Sequence, residues 1–293
     1  MSGTYLVTAG NIGNSVIEGL IARGKKIRAA VLKKKPNAIW DVAGIEQVEF
    51  DYARPETLKR AFDGVEAYFC LSPLIQNLAE TGIQAVEVAK QAGVRRIVRS
   101  SALGAAGDAV TFARWHRAVE KAVEASGISY TILQPIAFMQ NYLLFAETIK
   151  REGRFYAPVG YAKACYVDTR DIADVAVLAL AETGHTGKKY RITGGEAISN
   201  FDVAELLSRA AGITVQYVPV SDEAARQAME AMGVPGWMVD GFSELNHILA
   251  KGWMAGVETD FESVTGRKPR TFGQFARDFR SAFVNESAAK RSA

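Results

Sequence analysis

The sequence predicts a doubly wound α/β fold: a parallel sheet covered by helices, followed by a smaller, helix-rich C-terminal subdomain. Over the first 135 residues, short apolar segments alternate with helical segments. Near-continuous apolar strands joined by helices are typical of a parallel sheet that is buried on both faces. The first apolar segment also enters a glycine-bearing turn before a helix. Together these patterns favour a Rossmann-like sheet with its ligand crevice at the carboxyl ends of the strands.

The elements of the first half follow one another in a largely alternating order. We expect strands at Tyr5–Thr8, Ile27–Leu32, Val48–Phe50, Ala67–Leu71, Arg96–Ser100 and Ser129–Leu133. We expect helices at Asn14–Arg23, Glu56–Phe62, Leu78–Ala92 and Arg114–Ser126. Because parallel strands need long crossover connections, a helix between two strands supports their parallel pairing.

The alternation weakens after about residue 135. Strand-like pieces are Ala164–Val167, Lys189–Ile192 and Thr214–Pro219, and helical pieces are Asp171–Ala181, Asn200–Ala211, Asp222–Met232 and Gly236–Ala250. We therefore expect residues 1–135 to form the first domain, with a segment around 160–195 returning to it. Residues 136–285 would mainly form the second subdomain, and residues 286–293 a disordered polar tail.

The composition is ordinary for a soluble globular protein: 293 residues, 48% hydrophobic and 23% charged. A net charge of +3 is too small to predict a nucleic-acid or membrane partner. Cys70 and Cys165 lie in apolar stretches, which favours buried thiols in a reducing compartment. The first strand leaves no room for a signal peptide, and no apolar run approaches the roughly 18 residues of a membrane span. We therefore expect a cytoplasmic protein.

The turn after the first strand has the features of an anion-binding loop. Its sequence is Gly10-Asn11-Ile12-Gly13, and it leads from Thr8 into a helix. Unpaired N–H groups and the positive end of the helix dipole would face a phosphate there. Gly10 would let the backbone approach a pyrophosphate, and Gly13 would let the helix pack closely on the strand. We expect these residues to bind a dinucleotide.

The residues after the second strand favour NADP(H) as the cofactor. An NAD-binding protein carries an acidic residue at this point, to bind the ribose hydroxyls. This chain has Lys33, Lys34 and Lys35 instead, whose charges suit a 2′-phosphate. A solvated basic turn is the alternative interpretation.

Further cofactor contacts are expected where other strands end. Asp51 follows strand three and would hydrogen-bond an adenine amino group, unless it only caps the next helix. Leu71 and Ser72 end strand four and would lie beneath the ribose on the nicotinamide side. Ser100 ends strand five and would offer its hydroxyl to that ribose or to a substrate carbonyl, unless it only finishes the strand.

Several stretches together resemble one known family. They are "VEAYFCLSPL", "AGVRRIVRSSALGA", "ARWHRAVEKAVEASGISYTILQPIAFMQNYL", "CYVDTRDIADVAVLALAETGHTGKKYRITGGEAIS" and "TGRKPRTFGQFA". The chain resembles the NmrA-like branch of the atypical short-chain dehydrogenases, which includes NAD(P)H-dependent quinone, triphenylmethane-dye and isoflavone-type reductases. The resemblance runs from about residue 5 to 284. It implies that the segment containing Asp168 and Asp171 begins a helix and braces the two domains.

One departure from the family pattern concerns the glycine loop. The family loop usually reads T-G-A-T-G-x-x-G, whereas this chain has Thr8-Ala9-Gly10-Asn11-Ile12-Gly13. The simplest alignment removes two residues, including the first glycine. Such a loop either binds NADP(H) with altered geometry or leaves the crevice to another ligand.

The resemblance places the catalytic position on His116. The Tyr-x-x-x-Lys motif of classical short-chain dehydrogenases is absent from the expected helix. An imidazole near its ordinary pKa of about 6.5 exchanges protons at neutral pH. Glu120 lies four residues on and would orient the ring or raise its pKa. A structural pair of helix residues is the alternative.

Substrate contacts are expected from Trp115 and from the segment after strand six, namely Phe138, Met139 and Asn141. A Phe-Met pair suits a flat aromatic substrate, although core packing also explains it. We expect no metal site, because His185 and His247 lack partners at ligand spacing.

The leading hypothesis is an NADPH-dependent reductase that transfers hydride to a small aromatic, quinone-like or enone-like substrate, with His116 or a water supplying the proton. The shortened loop leaves open a cofactor-independent isomerase or lyase that uses His116 as acid and base. A third hypothesis is a non-catalytic regulator that senses NADP(H). Whether the protein forms a homodimer stays open.

Overall fold

The computed structural model describes residues 3–107 and 109–285, except for the side chain of Ala38. The disordered tail expected at residues 286–293 lies outside the described residues. The strands are β1 (Thr4–Thr8), β2 (Lys26–Val31), β3 (Glu46–Glu49), β4 (Val65–Leu71), β5 (Arg96–Ser100), β6 (Ser129–Pro135), β7 (Arg154–Ala157), β8 (Lys163–Ala164), β9 (Lys188–Ile192), β10 (Ile198–Ser199) and β11 (Gln216–Pro219).

Helices flank these strands and dominate the C-terminal part. They are α1 (Gly13–Ile21), α2 (Ala38–Val42), α3 (Pro55–Phe62), α4 (Leu78–Gln91), α5 (Thr111–Ala125), α6 (Ala146–Glu152), α7 (Thr169–Ala181), α8 (Asn200–Ala211), α9 (Asp222–Ala231), α10 (Gly236–Ala250), α11 (Asp260–Thr265), α12 (Phe272–Asp278) and α13 (Arg280–Phe283). A 3-10 helix, Met139–Phe145, precedes α6.

Seven strands form the central sheet, in the order β3-β2-β1-β4-β5-β6-β9. Every neighbouring pair in it is parallel. The chain order reverses between β1 and β4, and ligands of doubly wound sheets bind at such a switch point, outside the carboxyl ends of the strands. The predicted fold class is confirmed, and the crevice lies where β1, β4 and β5 end.

The sheet is covered on both faces, as its apolar strands require. One face packs against α1 and α7, with residues such as Val16 and Ile172 in the core. The other face packs against α3, α4 and α5, around Phe62 and Val119. A separate core surrounds Phe272 in the C-terminal part.

The returning segment extends the sheet. β9 pairs with β6, and α7 packs against α1. Asp168 caps α7 by accepting a hydrogen bond from the N–H of Arg170. The Asp171 carboxylate accepts a hydrogen bond from the N–H of Arg270, at 2.8 Å. This stretch thus begins a helix and contacts the C-terminal part, as the resemblance implies.

The segment expected as a strand at Ala164–Val167 is mostly irregular. Only Lys163–Ala164 is a strand, paired antiparallel with β10. Beyond it the Cys165 N–H donates to the Met254 carbonyl at 2.8 Å, and the Val167 N–H donates to Ala137 at 3.0 Å. Val167 forms only an isolated parallel bridge with Phe138, and no strand continues beyond Ala164. The strand expected at Thr214–Pro219 also begins later, at Gln216, where it pairs with β7.

In the part of the chain that the structure describes, no helix combines the length and apolarity needed to cross a bilayer. The same residues contain no cluster of three or more His, Cys, Asp or Glu side chains arranged to hold a metal ion.

Candidate active site

Two glycines shape the short loop between β1 and α1. Gly10 has a φ of +151°, a conformation that L side chains rarely adopt, and a Cβ there would lie 3.2 Å from Leu71 Cδ2. A Cβ on Gly13 would lie only 1.9 Å from the carbonyl oxygen of Thr8. Gly13 therefore allows the start of α1 to press directly against the end of β1, and the shortened loop still makes the turn.

The backbone N–H groups of residues 11–13 face no acceptor among the described residues. The next amides are used: the Gly10 N–H donates to Asn14 Oδ1 at 3.3 Å, and the Asn14 N–H donates to the Gly10 carbonyl at 2.9 Å. No acidic residue lies in the first turn of α1. Because the Ile12 side chain is buried, the amides around it form a rigid group of donors. Such donors at a helix N-terminus suit an anion such as a diphosphate.

The side chains at the ends of β1 and β4 offer fewer free polar groups to a cofactor than expected. The Thr8 hydroxyl hydrogen-bonds the hydroxyl of Tyr68, at 3.2 Å. Leu71 lies against Gly10, as described. Ser72 is buried, its Oγ has no partner among the described residues, and a Cβ on Gly82 of α4 would lie 3.2 Å from it. The side chain of Ser72 therefore faces α4. This agrees with the alternation of side chains along a strand, which puts residues 70 and 72 on the same face.

The basic turn and Asp51 lie at the next two strand ends. Lys33, Lys34 and Lys35 are exposed between β2 and α2, and none forms an ion pair within the described residues. Asp51 accepts hydrogen bonds from the Ala53 N–H at 3.0 Å and from Arg54 at 3.1 Å. These bonds lower the pKa of Asp51 and organise the turn into α3.

His116 has an unexpected neighbour. Its Nδ1 accepts a hydrogen bond from Nη2 of Arg99, at 3.0 Å, and Arg99 is fully buried on β5. Burial and the nearby guanidinium lower the pKa of His116 to about 3. The expectation of an imidazole near its ordinary pKa is therefore wrong, because desolvation disfavours the imidazolium form.

Glu120 does not partner His116. Its carboxylate accepts hydrogen bonds from Ser101 Oγ at 2.6 Å and Gln134 Nε2 at 2.8 Å, and it pairs with Arg117 at 3.0 Å. The expectation that Glu120 orients the ring or raises its pKa is wrong. Glu120 is fully buried, where a carboxylate needs hydrogen-bond donors, and these three side chains provide them.

Two of the expected substrate residues, Trp115 and Met139, line separate cavities. Trp115 lies on α5 with its ring centroid 5.7 Å from that of Trp237 on α10. The cavity beside them measures about 540 Å³ and is lined by Thr111, Trp115, Arg226, Trp237, Asp240, Ser243 and Glu244. Met139 lines another cavity, of about 350 Å³.

The Phe-Met pair does not form one flat surface. Phe138 packs on the α1–α7 side of the sheet, whereas Met139 is buried in the C-terminal core. Phe138 is extended, and successive side chains of an extended chain point in opposite directions. Asn141 is exposed, and Ser100 is buried at the end of β5.

Sequence reasoning missed Arg99 and the whole contribution of α10. The signal for Arg99 was present: it follows Ile97 and Val98 in a short strand of a sheet covered on both faces, where a buried cation needs hydrogen-bond acceptors. Nothing local marked Trp237, because its contact with Trp115 joins segments more than a hundred residues apart.

The model of the NmrA-like family matches residues 4–270. The chain belongs to the NmrA-like family. The predicted resemblance is therefore confirmed over most of the chain.

Comparisons with individual proteins agree with this family assignment. The NAD(P)H azoreductase of Xenophilus azovorans is 38% identical over 275 residues, which cover 94% of this chain and 96% of that protein. The NADPH-dependent quinone oxidoreductase of Escherichia coli, solved with NADPH, is 26% identical with a TM-score of 0.83, over 94% of this chain and 99% of that one. The Citrobacter sp. triphenylmethane reductase, solved with NADP(H), shares the fold with a TM-score of 0.81 at 24% identity, over 94% and 99%.

Proposed function

We propose that this chain is an NADPH-dependent reductase that transfers hydride to a small aromatic or quinone-like acceptor. The observation that carries the proposal is the group of unpartnered amides at residues 11–13, at the switch point of the sheet and beside exposed lysines. The two kinds of donor match the two anionic groups of NADPH, its diphosphate and its 2′-phosphate. The activities in the names of the azoreductase and the quinone oxidoreductase support the same reaction class.

The residues of the crevice fit this cofactor. Gly10 and Gly13 keep side chains out of the diphosphate position, and Lys33 and Lys34 provide cations for the 2′-phosphate. When bound, the reduced nicotinamide supplies the hydride, and the protein supplies orientation and electrostatics.

The cavity between α5 and α10 is the proposed acceptor site. α5 begins soon after β5 ends, so the first turns of α5 lie at the carboxyl edge of the sheet. The rings of Trp115 and Trp237 offer stacking surfaces for a flat acceptor. His116 follows Trp115 on the same helix and is bonded to Arg99 of β5, but it is not part of the cavity lining. We infer that it is the polar contact to the acceptor from the side of the sheet.

Binding measurements test the proposal directly. The purified protein is titrated with NADPH and NADH while nicotinamide fluorescence is followed, and NADPH oxidation is then measured with panels of quinones and azo dyes. We expect micromolar NADPH binding and turnover with members of the panels. Binding without turnover would favour the NADP(H)-sensing regulator. Absence of binding to both nucleotides would reject the reductase and favour the isomerase or lyase.

The basic turn can be tested separately with the double substitution Lys33→Gln/Lys34→Gln. We expect the Kd for NADPH to rise roughly tenfold or more, because charge-assisted hydrogen bonds to the 2′-phosphate are lost, while the Kd for NADH stays unchanged. Lys26→Gln is the matched control, since Lys26 is exposed at the opposite end of β2. Equal changes in the Kd for NADPH and the Kd for NADH would mean that these lysines do not bind the 2′-phosphate and only form a solvated turn.

A further inference from the structure

Arg99 is a buried cation that no carboxylate neutralises within the described residues. Its Nη1 donates to the carbonyl oxygen of Cys70 at 3.2 Å, and its Nη2 bonds His116 Nδ1 at 3.0 Å. Its Nε is buried without a partner in the same set of residues. Burying a charge that has no ionic partner is unfavourable in free energy, so each acceptor of Arg99, including His116, matters for keeping it in place.

The donor and acceptor roles in this contact are not interchangeable. A guanidinium carries N–H donors and no acceptor, and it stays protonated in proteins. Nδ1 of His116 must therefore be the acceptor, and a neutral imidazole that accepts at Nδ1 carries its proton on Nε2. We propose that Arg99 is a positioning residue that holds His116 as the neutral Nε2–H tautomer, so that the ring acts as a hydrogen-bond donor.

The groups beside Arg99 and on the elements next to His116 support this state. From β4 and the end of β3 come Cys70, Tyr68 and Tyr52, and burial raises the pKa of both tyrosines, which keeps them neutral. The buried side chains of α4 are all uncharged. On α5 itself, Glu120 is already bound by three donors, and from α10 Glu244 accepts from the first turn of α5. None of these described groups offers the ring a free anion that would favour imidazolium.

The catalytic consequence rests on the proposed function. Nε2 of His116 has no hydrogen-bond partner among the described residues. In the reductase it donates to the acceptor atom that gains negative charge as hydride arrives, which stabilises the transition state. The proton that completes the reduction then comes from water, which leaves hydroxide in solvent. Turnover is therefore independent of a histidine ionisation near neutral pH.

Nuclear magnetic resonance of the ¹⁵N-labelled protein tests the tautomer without cofactor or substrate. The chain has three histidines, so its long-range ¹H–¹⁵N spectrum contains three ring systems, and the system missing in His116→Gln identifies the ring. We expect the Nε2–H pattern, unchanged from about pH 5.5 to 8. An Nδ1–H pattern, or titration of His116 within this range, overturns the proposal. This result does not depend on whether NADPH binds, so the proposed function can fail while the inference stands.

Substitutions of Arg99 test its role as the positioning residue. In Arg99→Met burial still keeps the pKa of the ring below its ordinary value, but the donor to Nδ1 is lost. We expect the long-range ¹H–¹⁵N spectrum to show a mixture of the two neutral tautomers, and kcat at pH 7 to fall several-fold while the Kd for NADPH stays unchanged. Arg99→Lys keeps a cationic donor, and we expect it to restore the Nε2–H pattern and most of kcat. The control is Arg96→Met, because Arg96 binds the Leu180 carbonyl at the other end of β5. A folded Arg99→Met protein that keeps the Nε2–H pattern as fully as the wild type would refute the role, and the wild-type spectrum decides the tautomer if that variant does not fold.

Discussion

At the scale of single residues, the glycine loop uses its two glycines for different purposes. Gly10 needs freedom of φ, because it turns the chain at +151°. Gly13 has ordinary helical backbone but needs the absence of a Cβ, because the Thr8 carbonyl occupies that space. Neither glycine can therefore be replaced by a larger residue without a shift of the loop between β1 and α1.

Gly13→Ala should therefore weaken both binding and stability. The new Cβ would overlap the Thr8 oxygen, so the start of α1 must move away from β1 and its amides lose their positions. We expect a loss of about 1–3 kcal/mol in the free energy of unfolding, measured in urea, and a higher Kd for NADPH. Gly256→Ala is the control, since a Cβ there meets nothing within 4 Å. Unchanged affinity for NADPH in Gly13→Ala would separate the loop from the cofactor.

At the scale of elements, α5 is the component that links the sheet to the proposed acceptor cavity. Its inner face packs on the sheet through Val119 and Val123. Its first turns pack against α10, where Phe112 lies so close to Gly241 that an added Cβ would be 2.1 Å from the ring. The shape of the cavity therefore depends on how closely α10 approaches α5.

Gly241→Ala tests this dependence. The methyl group would push α10 from Phe112 and alter the spacing of the two tryptophan rings. We expect the KM for an aromatic acceptor to rise several-fold while the Kd for NADPH stays unchanged, as measured by steady-state kinetics and fluorescence titration. Gly236→Ala, on the same helix, has open space around its Cβ and should behave as wild type. An unaltered KM in Gly241→Ala would place the acceptor elsewhere.

At the scale of the whole molecule, ion pairs connect the start of α7 with the C-terminal helices. Asp168 is fully buried and is bonded by Arg170 and by Gln140 Nε2, at 2.9 Å. Arg170 also reaches Asp278 at the end of α12, at 2.7 Å. Burial would raise the pKa of Asp168, but the hydrogen bonds from Arg170 and Gln140 outweigh it and lower the pKa.

Asp168→Asn should destabilise the protein by about 3 kcal/mol at neutral pH, because it leaves buried donors without their charged acceptor. The folded pKa of Asp168 lies below the unfolded value of about 3.9, so its contribution is present above that pH and is lost as the pH falls through the folded pKa. Urea unfolding should thus show a smaller difference from wild type near pH 3 than at pH 7. Glu147→Gln removes an exposed ion pair with Lys150 and should change stability by less than about 1 kcal/mol. A difference that does not vary with pH would contradict this account of Asp168.

The elements and the site differ in how well the sequence predicted them. The strands from β1 to β6 were expected within a few residues, because apolar segments and turn glycines are local signals. The close packing of Gly13 was expected for the same reason. Glu120 and the Phe138–Met139 pair were misread, since their neighbours in the chain do not reveal which donor or core they meet.

By itself the sequence determined the α/β fold class, the family and the position of the glycine loop at the first strand. The fold class and the loop follow from periodicity and spacing, and the family follows from the stretches that resemble it. All of these are properties of residues close together in the chain. Only the tertiary structure decided that Arg99, and not Glu120, bonds His116, and that α10 closes a cavity over Trp115. Such contacts depend on how separate elements pack, and burial then keeps His116 neutral at pH values well below its ordinary pKa.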